Sequence, residues 1–410
     1  MATSAYVQLR DGDLLAAILP PGPEWIPTLT RVWEAGAALL PVDVRLPRAQ
    51  TCRLVDRGRP TVVLDAGTEW TRLGPPPTAG PDLALVMPTS GTLGEPKLAE
   101  LTRGAVLAAV KGSSAALEAG PEEPWLSCLT PAHIGGLLVL LRAVLLGVPV
   151  VVHRGFDPAA IADEEGCRFV SVVPTMLLRL LDAGADLSSF RTILVGGAAL
   201  TPELRSRAEA SGARVVQTYG LTESCGGVVY EGRPFPGTRV RIDRQNPEIL
   251  LAGPTIMRCY RDAPSDDVLS GNGWLRTGDS GSIDEHGRLH VDGRLDDLIV
   301  TGGENVRPQE VEAVLRRHPK VADVAVAARP DPEWGARVVA FVVPADPADP
   351  PTLEMLRDAV SASLPRFKGP RELTLVEELP RTSDGKIRRE SLRTPPASPD
   401  RLPETPKPQE

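Results

Sequence analysis

Apolar residues along the chain fall into short runs of strand length: AAILP, ALLPVD, RLVDRG, TVVLD and ALVMP before residue 90, then PVVVH, FVSVVP, TILVG and RVVQTYG up to residue 220. Between them lie longer stretches with apolar positions three or four apart, such as WIPTLTRVWEAG and LTRGAVLAAVKGSSAAL, the spacing of an amphipathic helix. Strand-length runs alternating with helical ones predict an α/β domain with largely parallel sheets and crossover helices. The longest apolar tract, LLVLLRAVLLGVPVVV at 137–152, is cut by Arg142 and Pro149. It falls short of the ~20 residues of a membrane-spanning helix and predicts a buried helix followed by a strand.

The rhythm changes twice. From about residue 227 the helical spacing stops, and short strands (VRI, EILLAG, GSIDE, RLHVDG) between Gly, Asp and Pro turns predict a β-rich subdomain over 228–293, the end of a large N-terminal domain covering 1–293. After that, RPQEVEAVLRRHPK predicts a helix, with Pro308 in its first turn, Glu310 and Glu312 near its positive end, and Arg316 and Arg317 near its negative end. Strands VADVAVAA and ARVVAFVVP, a helix near 352–363 and strand LTLVEE complete a compact α+β domain over 294–392. The tail 393–410 is rich in Pro and charge and predicts disorder.

Composition narrows the function. A chain of 410 residues with 42% apolar content suits a soluble protein of two or three domains. Its net charge of −8 excludes a basic field for nucleic acid or an anionic membrane. Cys52, Cys128, Cys167, Cys225 and Cys259 are scattered without a C-x-x-C pair, so neither a disulfide framework nor a zinc site is expected. No charged segment followed by an apolar core opens the chain, and a cytoplasmic protein without membrane insertion is the expectation.

Chemistry concentrates in PTSGTLGEPK, residues 88–97. Gly91 and Gly94 let backbone N–H groups converge, Thr89, Ser90 and Thr92 add hydroxyl donors and Lys97 adds charge: a nest suited to a polyphosphate, or a plain hairpin turn. The spacing to Lys97, and the Pro96 before it, rule out a Walker loop. Three more stretches accompany it: QTYGLTESCGG at 217–227, GWLRTGDSGSIDEHGRLHVDGRLDDLIVTGGENVRPQEVE at 273–312, and PRTSDGKIRRESL at 380–392.

In this order and spacing the four motifs resemble the adenylate-forming superfamily of acyl- and aryl-CoA ligases, peptide-synthetase adenylation domains and luciferases. The resemblance runs from GAALLPVDVRLP at 36–47 to Leu392, with Leu93 departing from the usual Thr of the loop. It implies ATP, Mg²⁺ and coenzyme A as co-substrates and cofactors, a small carboxylic acid as substrate, and a mobile C-terminal domain that turns about Asp296. Thr89, Ser90, Gly91, Thr92, Gly94 and Lys97 would hold the β and γ phosphates, Thr222 would touch the α phosphate, and Glu223 would ligate Mg²⁺. Asp279 and Arg294 would hold the ribose. Tyr219 would offer a face to adenine, which would approach the backbone at Gly196, Gly197 and Ala198.

Lys386 would bridge the attacking carboxylate and the α phosphate, and Gly303 would line the pantetheine tunnel. In LTPAHIGGL, His133 resembles the gate of an acyl pocket, although a satisfied core histidine reads equally from the residues alone. PTMLLRLL, GGAALTPELRSRA and SCGGVVYEGRPFPGTRVRI are similar to o-succinylbenzoate–CoA ligases of menaquinone biosynthesis. Ser224 and the backbone at Gly226 and Gly227 are then candidates to meet the substrate's second carboxylate. Another aryl- or fatty-acyl-CoA ligase, an adenylation enzyme loading a carrier protein, and a homodimer remain open.

Overall fold

The computed structural model describes residues 7–65, 70–74, 82–89, 97–261, 268–381 and 387–393. The chain divides into two compact units, Met1–Leu295 and Asp296–Glu410.

The first unit is built on two seven-stranded sheets. In one, the strands Leu83–Pro88, Ala38–Pro41, Leu14–Ala17 and Val62–Leu64 lie side by side and parallel, with Leu98–Thr102 and Cys259–Tyr260 added antiparallel at one edge and Trp70–Arg72 at the other. In the second, Val215–Leu221, Thr192–Val195, Phe169–Val172, Trp125–Ser127 and Val150–Val152 are parallel, Gly226–Tyr230 returns antiparallel along Val215–Leu221, and Arg233–Pro234 pairs antiparallel at the edge. Strands covered on both faces need apolar residues at nearly every position, which is why LLAA, ALLP and LALVM read as unbroken runs. A four-stranded antiparallel sheet, Arg239–Ile242, Glu248–Ala252, Leu275–Ile283 and Leu289–Arg294, supplies the β-rich part.

Two expectations change. RLVDRG, read as a strand, lies in the helix Arg48–Gly58, because Leu54 supplies the buried side chain of a helix while the charged residues face outward. The strand Cys259–Tyr260 leaves the β-rich part to join the edge of the first sheet. Elsewhere local signals hold: Leu98–Thr102 is a strand, and the Thr102 hydroxyl accepts from the Ala105 N–H at 3.0 Å to cap the next helix.

The tract at 137–152 forms the helix Ile134–Leu146 followed by the strand Val150–Val152. That helix is buried almost all round, Arg142 included. The Arg142 guanidinium lies 3.9 Å from the Trp125 ring centroid and donates to the Leu138 carbonyl at 2.9 Å and the Ser113 hydroxyl at 2.5 Å, and Ser113 in turn pairs with the Tyr230 hydroxyl at 2.8 Å. Burial pushes this guanidinium down to about 10.

In the second unit, Val321–Asp331, Gly335–Pro344 and Glu372–Leu375 form a three-stranded sheet covered by the helices Pro308–Leu315 and Leu353–Ser361. Arg381 and Ile387 are bridged, and the following helix Arg389–Arg393 extends one residue into the predicted tail. Arg389 reaches Asp297 at 3.1 Å and the buried Glu312 at 2.7 Å, so it belongs to an internal ion network rather than a solvated basic end.

Ser113→Ala should leave a buried, charged donor without its acceptor and lower stability by about 1–3 kcal/mol. A urea titration would read this as a lower midpoint at unchanged slope.

Candidate active site

The parallel strand Val215–Leu221 runs out at its carboxyl end into a one-turn helix, Thr222–Ser224, so Tyr219 and Glu223 stand four residues apart at the place where open α/β sheets present ligand-binding groups. The turn is closed by Ser224, whose hydroxyl accepts from the Leu221 N–H at 2.8 Å and lies 3.1 and 3.0 Å from the Leu221 and Gly226 carbonyls. Ser224 is fully buried and engaged in this turn, which removes it as a donor to a substrate carboxylate. Cys225 and Gly226 then take left-handed φ values of 57° and 87° to reverse the chain. A Cβ on Gly226 would stand 2.8 Å from Leu138, so the turn packs directly on the helix that begins after His133.

On one side of the strand end, the Tyr219 hydroxyl donates to Asp279 Oδ2 at 2.9 Å. Arg294, opposite Asp279 in the antiparallel register, donates to Asp279 Oδ1 at 3.3 Å and to the Thr277 carbonyl at 2.9 Å. The turn that permits this is glycine's: Gly278 has φ +69°, and a Cβ there would meet the Arg294 guanidinium at 2.8 Å. Burial, and after it the Asp279 charge, push the Tyr219 phenol upward and keep it a proton donor. Gly196, Gly197 and Ala198 follow the neighbouring strand Thr192–Val195, with Val195 registered on Gln217, so they share this end of the sheet with Tyr219.

On the other side, the Thr89 N–H donates to the Lys97 carbonyl at 2.8 Å, closing the neck of the glycine loop. Ser90, Gly91, Thr92 and Gly94 lie outside the described residues, as does Lys386. The Lys97 ammonium lies 4.8 Å from the centroid of the Tyr260 ring, and the Tyr260 hydroxyl donates to Glu223 Oε1 at 2.7 Å. Sequence reasoning missed Tyr260. Its place comes from pairing Tyr260 with Ala99 across the sheet edge, a contact between distant residues with no local signature.

His133 immediately precedes the helix Ile134–Leu146. Burial raises the Asp43 carboxyl, but hydrogen bonds from the Arg45 side chain and N–H, with the charges of Arg45 and His133, outweigh burial and hold it below the usual carboxylate range. Gly303 belongs to the second unit, between the paired strands Ile299–Thr301 and Glu304–Val306. A Cβ there would meet nothing within 4 Å, and the left-handed φ of +82° is what calls for glycine.

Among the described residues no group of three or more His, Cys, Asp and Glu could cage a metal ion. A lone hard carboxylate such as Glu223 instead fits Mg²⁺, which keeps waters and takes the rest of its shell from substrate phosphates.

Residues 65–261 match the AMP-binding enzyme family, and residues 310–386 match the AMP-binding enzyme C-terminal domain. The probable 2-succinylbenzoate–CoA ligase of Mycobacterium tuberculosis is 41% identical over 76% of this chain and 84% of its own length. The feruloyl-CoA synthase of Amycolatopsis is 32% identical over 94% of this chain and 89% of its own. This chain belongs to the AMP-binding enzyme family.

Among solved structures, the Bacillus subtilis o-succinylbenzoate coenzyme A synthetase, 27% identical, superposes with a TM-score of 0.82 in its complex with ATP and magnesium ion, covering 93% of this chain and 90% of that one. In its complex with the acyl-adenylate intermediate OSB-AMP the TM-score is 0.84, with 94% and 89% covered. The fold is therefore that of an adenylate-forming enzyme, and the class is that of an AMP-forming acid–CoA ligase. No helix among the described residues is long and apolar enough to cross a membrane.

Tyr219→Phe should weaken AMP binding about three- to tenfold, the loss of one donor holding Asp279 in place. Calorimetric titration with AMP measures this directly.

Proposed function

We propose that the protein adenylates 2-succinylbenzoate with ATP and transfers the acyl group to coenzyme A, in the cytoplasm where both co-substrates are made. The observation that carries the reading is the placement of Asp279 and Glu223 at the two sides of one strand end, each held by a tyrosine hydroxyl. A nucleotide spans such a pair with its ribose at Asp279 and its phosphates toward Glu223, Lys97 and the glycine loop.

In the first step a carboxylate oxygen of the substrate forms a bond to the α phosphorus and the bond to pyrophosphate breaks. Both reactants are anions, so positive charge and positioning supply the catalysis. Lys97 and the loop from Thr89 to Gly94 hold the β and γ phosphates, and Thr222 meets the α phosphate. Asp279 and Arg294 fix the ribose, while Tyr219 and the backbone at Gly196, Gly197 and Ala198 border the adenine. Glu223 would hold Mg²⁺, which would supply neutralisation of phosphate charge and of the charge that develops on the leaving group. Lys386 bridges carboxylate and α phosphate in the transition state, which raises rate more than affinity.

In the second step the thiol of coenzyme A loses its proton, its sulfur bonds the acyl carbon and AMP leaves. Lys386 must vacate the site for the thiol, and a turn about Asp296 that brings Gly303 to the pantetheine achieves this. His133 closes the acyl pocket at the start of the helix on which the Glu223 turn packs.

The 2-succinylbenzoate assignment rests on the M. tuberculosis and B. subtilis relatives, and the feruloyl-CoA synthase likeness favours a second reading, a cinnamate-type aryl acid. Coenzyme A-dependent AMP release, screened over 2-succinylbenzoate, ferulate, benzoates and fatty acids, decides between them. The proposal expects 2-succinylbenzoate to exceed every other acid by at least about tenfold in kcat/KM. A preference for ferulate overturns it.

Lys386→Ala should abolish adenylation in a pyrophosphate-exchange assay while ATP affinity changes little. Gly303→Leu should block thioester formation and spare adenylation, measured as separate half-reactions.

A further inference from the structure

We propose that Tyr260 is a positioning residue for the metal-binding carboxylate: its hydroxyl holds one oxygen of Glu223 while its ring keeps the Lys97 ammonium from pairing with that carboxylate. The inference rests on the reading of Glu223 as the Mg²⁺ ligand and goes one step outward from it.

Glu223 is held twice by one short segment. The Met257 N–H donates to the Glu223 carbonyl at 2.8 Å, and three residues later the Tyr260 hydroxyl donates to Glu223 Oε1 at 2.7 Å. Main chain and carboxylate are therefore fixed together, and a carboxylate with one oxygen engaged by a neutral donor keeps its charge and its remaining lone pairs.

The segment itself is anchored. Glu100, 6% exposed, accepts from Arg258 and, at 2.8 Å, from Arg261, which clamps both flanks of Cys259–Tyr260 onto the strand Leu98–Thr102. Lys97 precedes that same strand, so its ammonium and the tyrosine ring are carried on paired neighbours. The ammonium rests 4.8 Å from the ring centroid, attracted by the negative ring face. No ion pair joins Lys97 to Glu223 among the described residues. Direct pairing would neutralise two groups meant for different partners, the ammonium for phosphate and the carboxylate for a cation. The ring receives the ammonium, and its hydroxyl uses one carboxylate oxygen without supplying a charge.

The test uses Mn²⁺ as the probe, titrated by electron paramagnetic resonance into the full-length protein with α,β-methylene-ATP present, beside titrations of the analogue without metal. Tyr260→Phe should weaken Mn²⁺ about tenfold, within the range for partners that orient a metal ligand, and leave the metal-free analogue affinity within about twofold. Tyr260→Leu, which also loses the ring, should weaken Mn²⁺ further. Glu223→Gln is the reference. If Glu223→Gln weakens Mn²⁺ and Tyr260→Phe does not, the inference fails alone. If Glu223→Gln has no effect, the metal reading of Glu223 fails and takes the inference with it. Equal losses in Tyr260→Phe and Tyr260→Leu would overturn the part assigned to the ring, and a matching loss of metal-free analogue affinity would overturn positioning in favour of a structural role.

Discussion

In the proposed function Asp279 and Glu223, on either side of the end of the strand Val215–Leu221, serve a polyanion, so each carboxylate must be oriented by donors. The site meets this constraint with tyrosine hydroxyls. A phenol fixes a carboxylate oxygen through one hydrogen bond and brings no charge, whereas a lysine in the same place would cancel the group it orients. Tyr219 does this for Asp279 and Tyr260 for Glu223. Arg294 adds an ion pair to Asp279 at 3.3 Å while donating to the Thr277 carbonyl, and Lys97 rests on the Tyr260 ring.

The scaffold serves the same end. The turn carrying Glu223 packs through Gly226 onto the helix Ile134–Leu146, and that helix is fixed by the burial of most of its residues and by the Arg142, Ser113 and Tyr230 chain. Two seven-stranded sheets with parallel centres bring their carboxyl ends to the region, so a few residues after Thr192–Val195 and Val215–Leu221 suffice to shape it. The strand Cys259–Tyr260 is short, yet the Glu100 clamp makes it the bridge between the neck of the glycine loop and Glu223.

What was legible in the sequence was local. Strands buried on both faces announce themselves as apolar runs, and the glycine loop carries Lys97 among its Gly and hydroxyl residues, while Tyr219, Glu223 and Asp279 are singled out only through the resemblance of QTYGLTESCGG and RTGD to a known family. The bond of Tyr260 to Glu223 and the clamp of Arg258 on Glu100 could not, because they join residues 37 and 158 positions apart and depend on which edge the strand Cys259–Tyr260 chooses. RLVDRG misled for the opposite reason: a short window holds too few apolar positions to tell a period of two from one of 3.6. Ser224 looked like a substrate donor because its role in closing its own turn exists only once Cys225 and Gly226 reverse the chain.

The central claim is a division of labour between two carboxylates on one strand end, and nucleotide binding by Asp279→Asn and Glu223→Gln, measured with AMP and with ATP in the presence and absence of Mg²⁺, tests it most directly. Asp279→Asn should weaken AMP and ATP alike, with or without the metal, while Glu223→Gln should weaken only ATP with Mg²⁺ and leave AMP unchanged. A Glu223→Gln protein that loses AMP as severely as the Asp279→Asn protein would contradict the account.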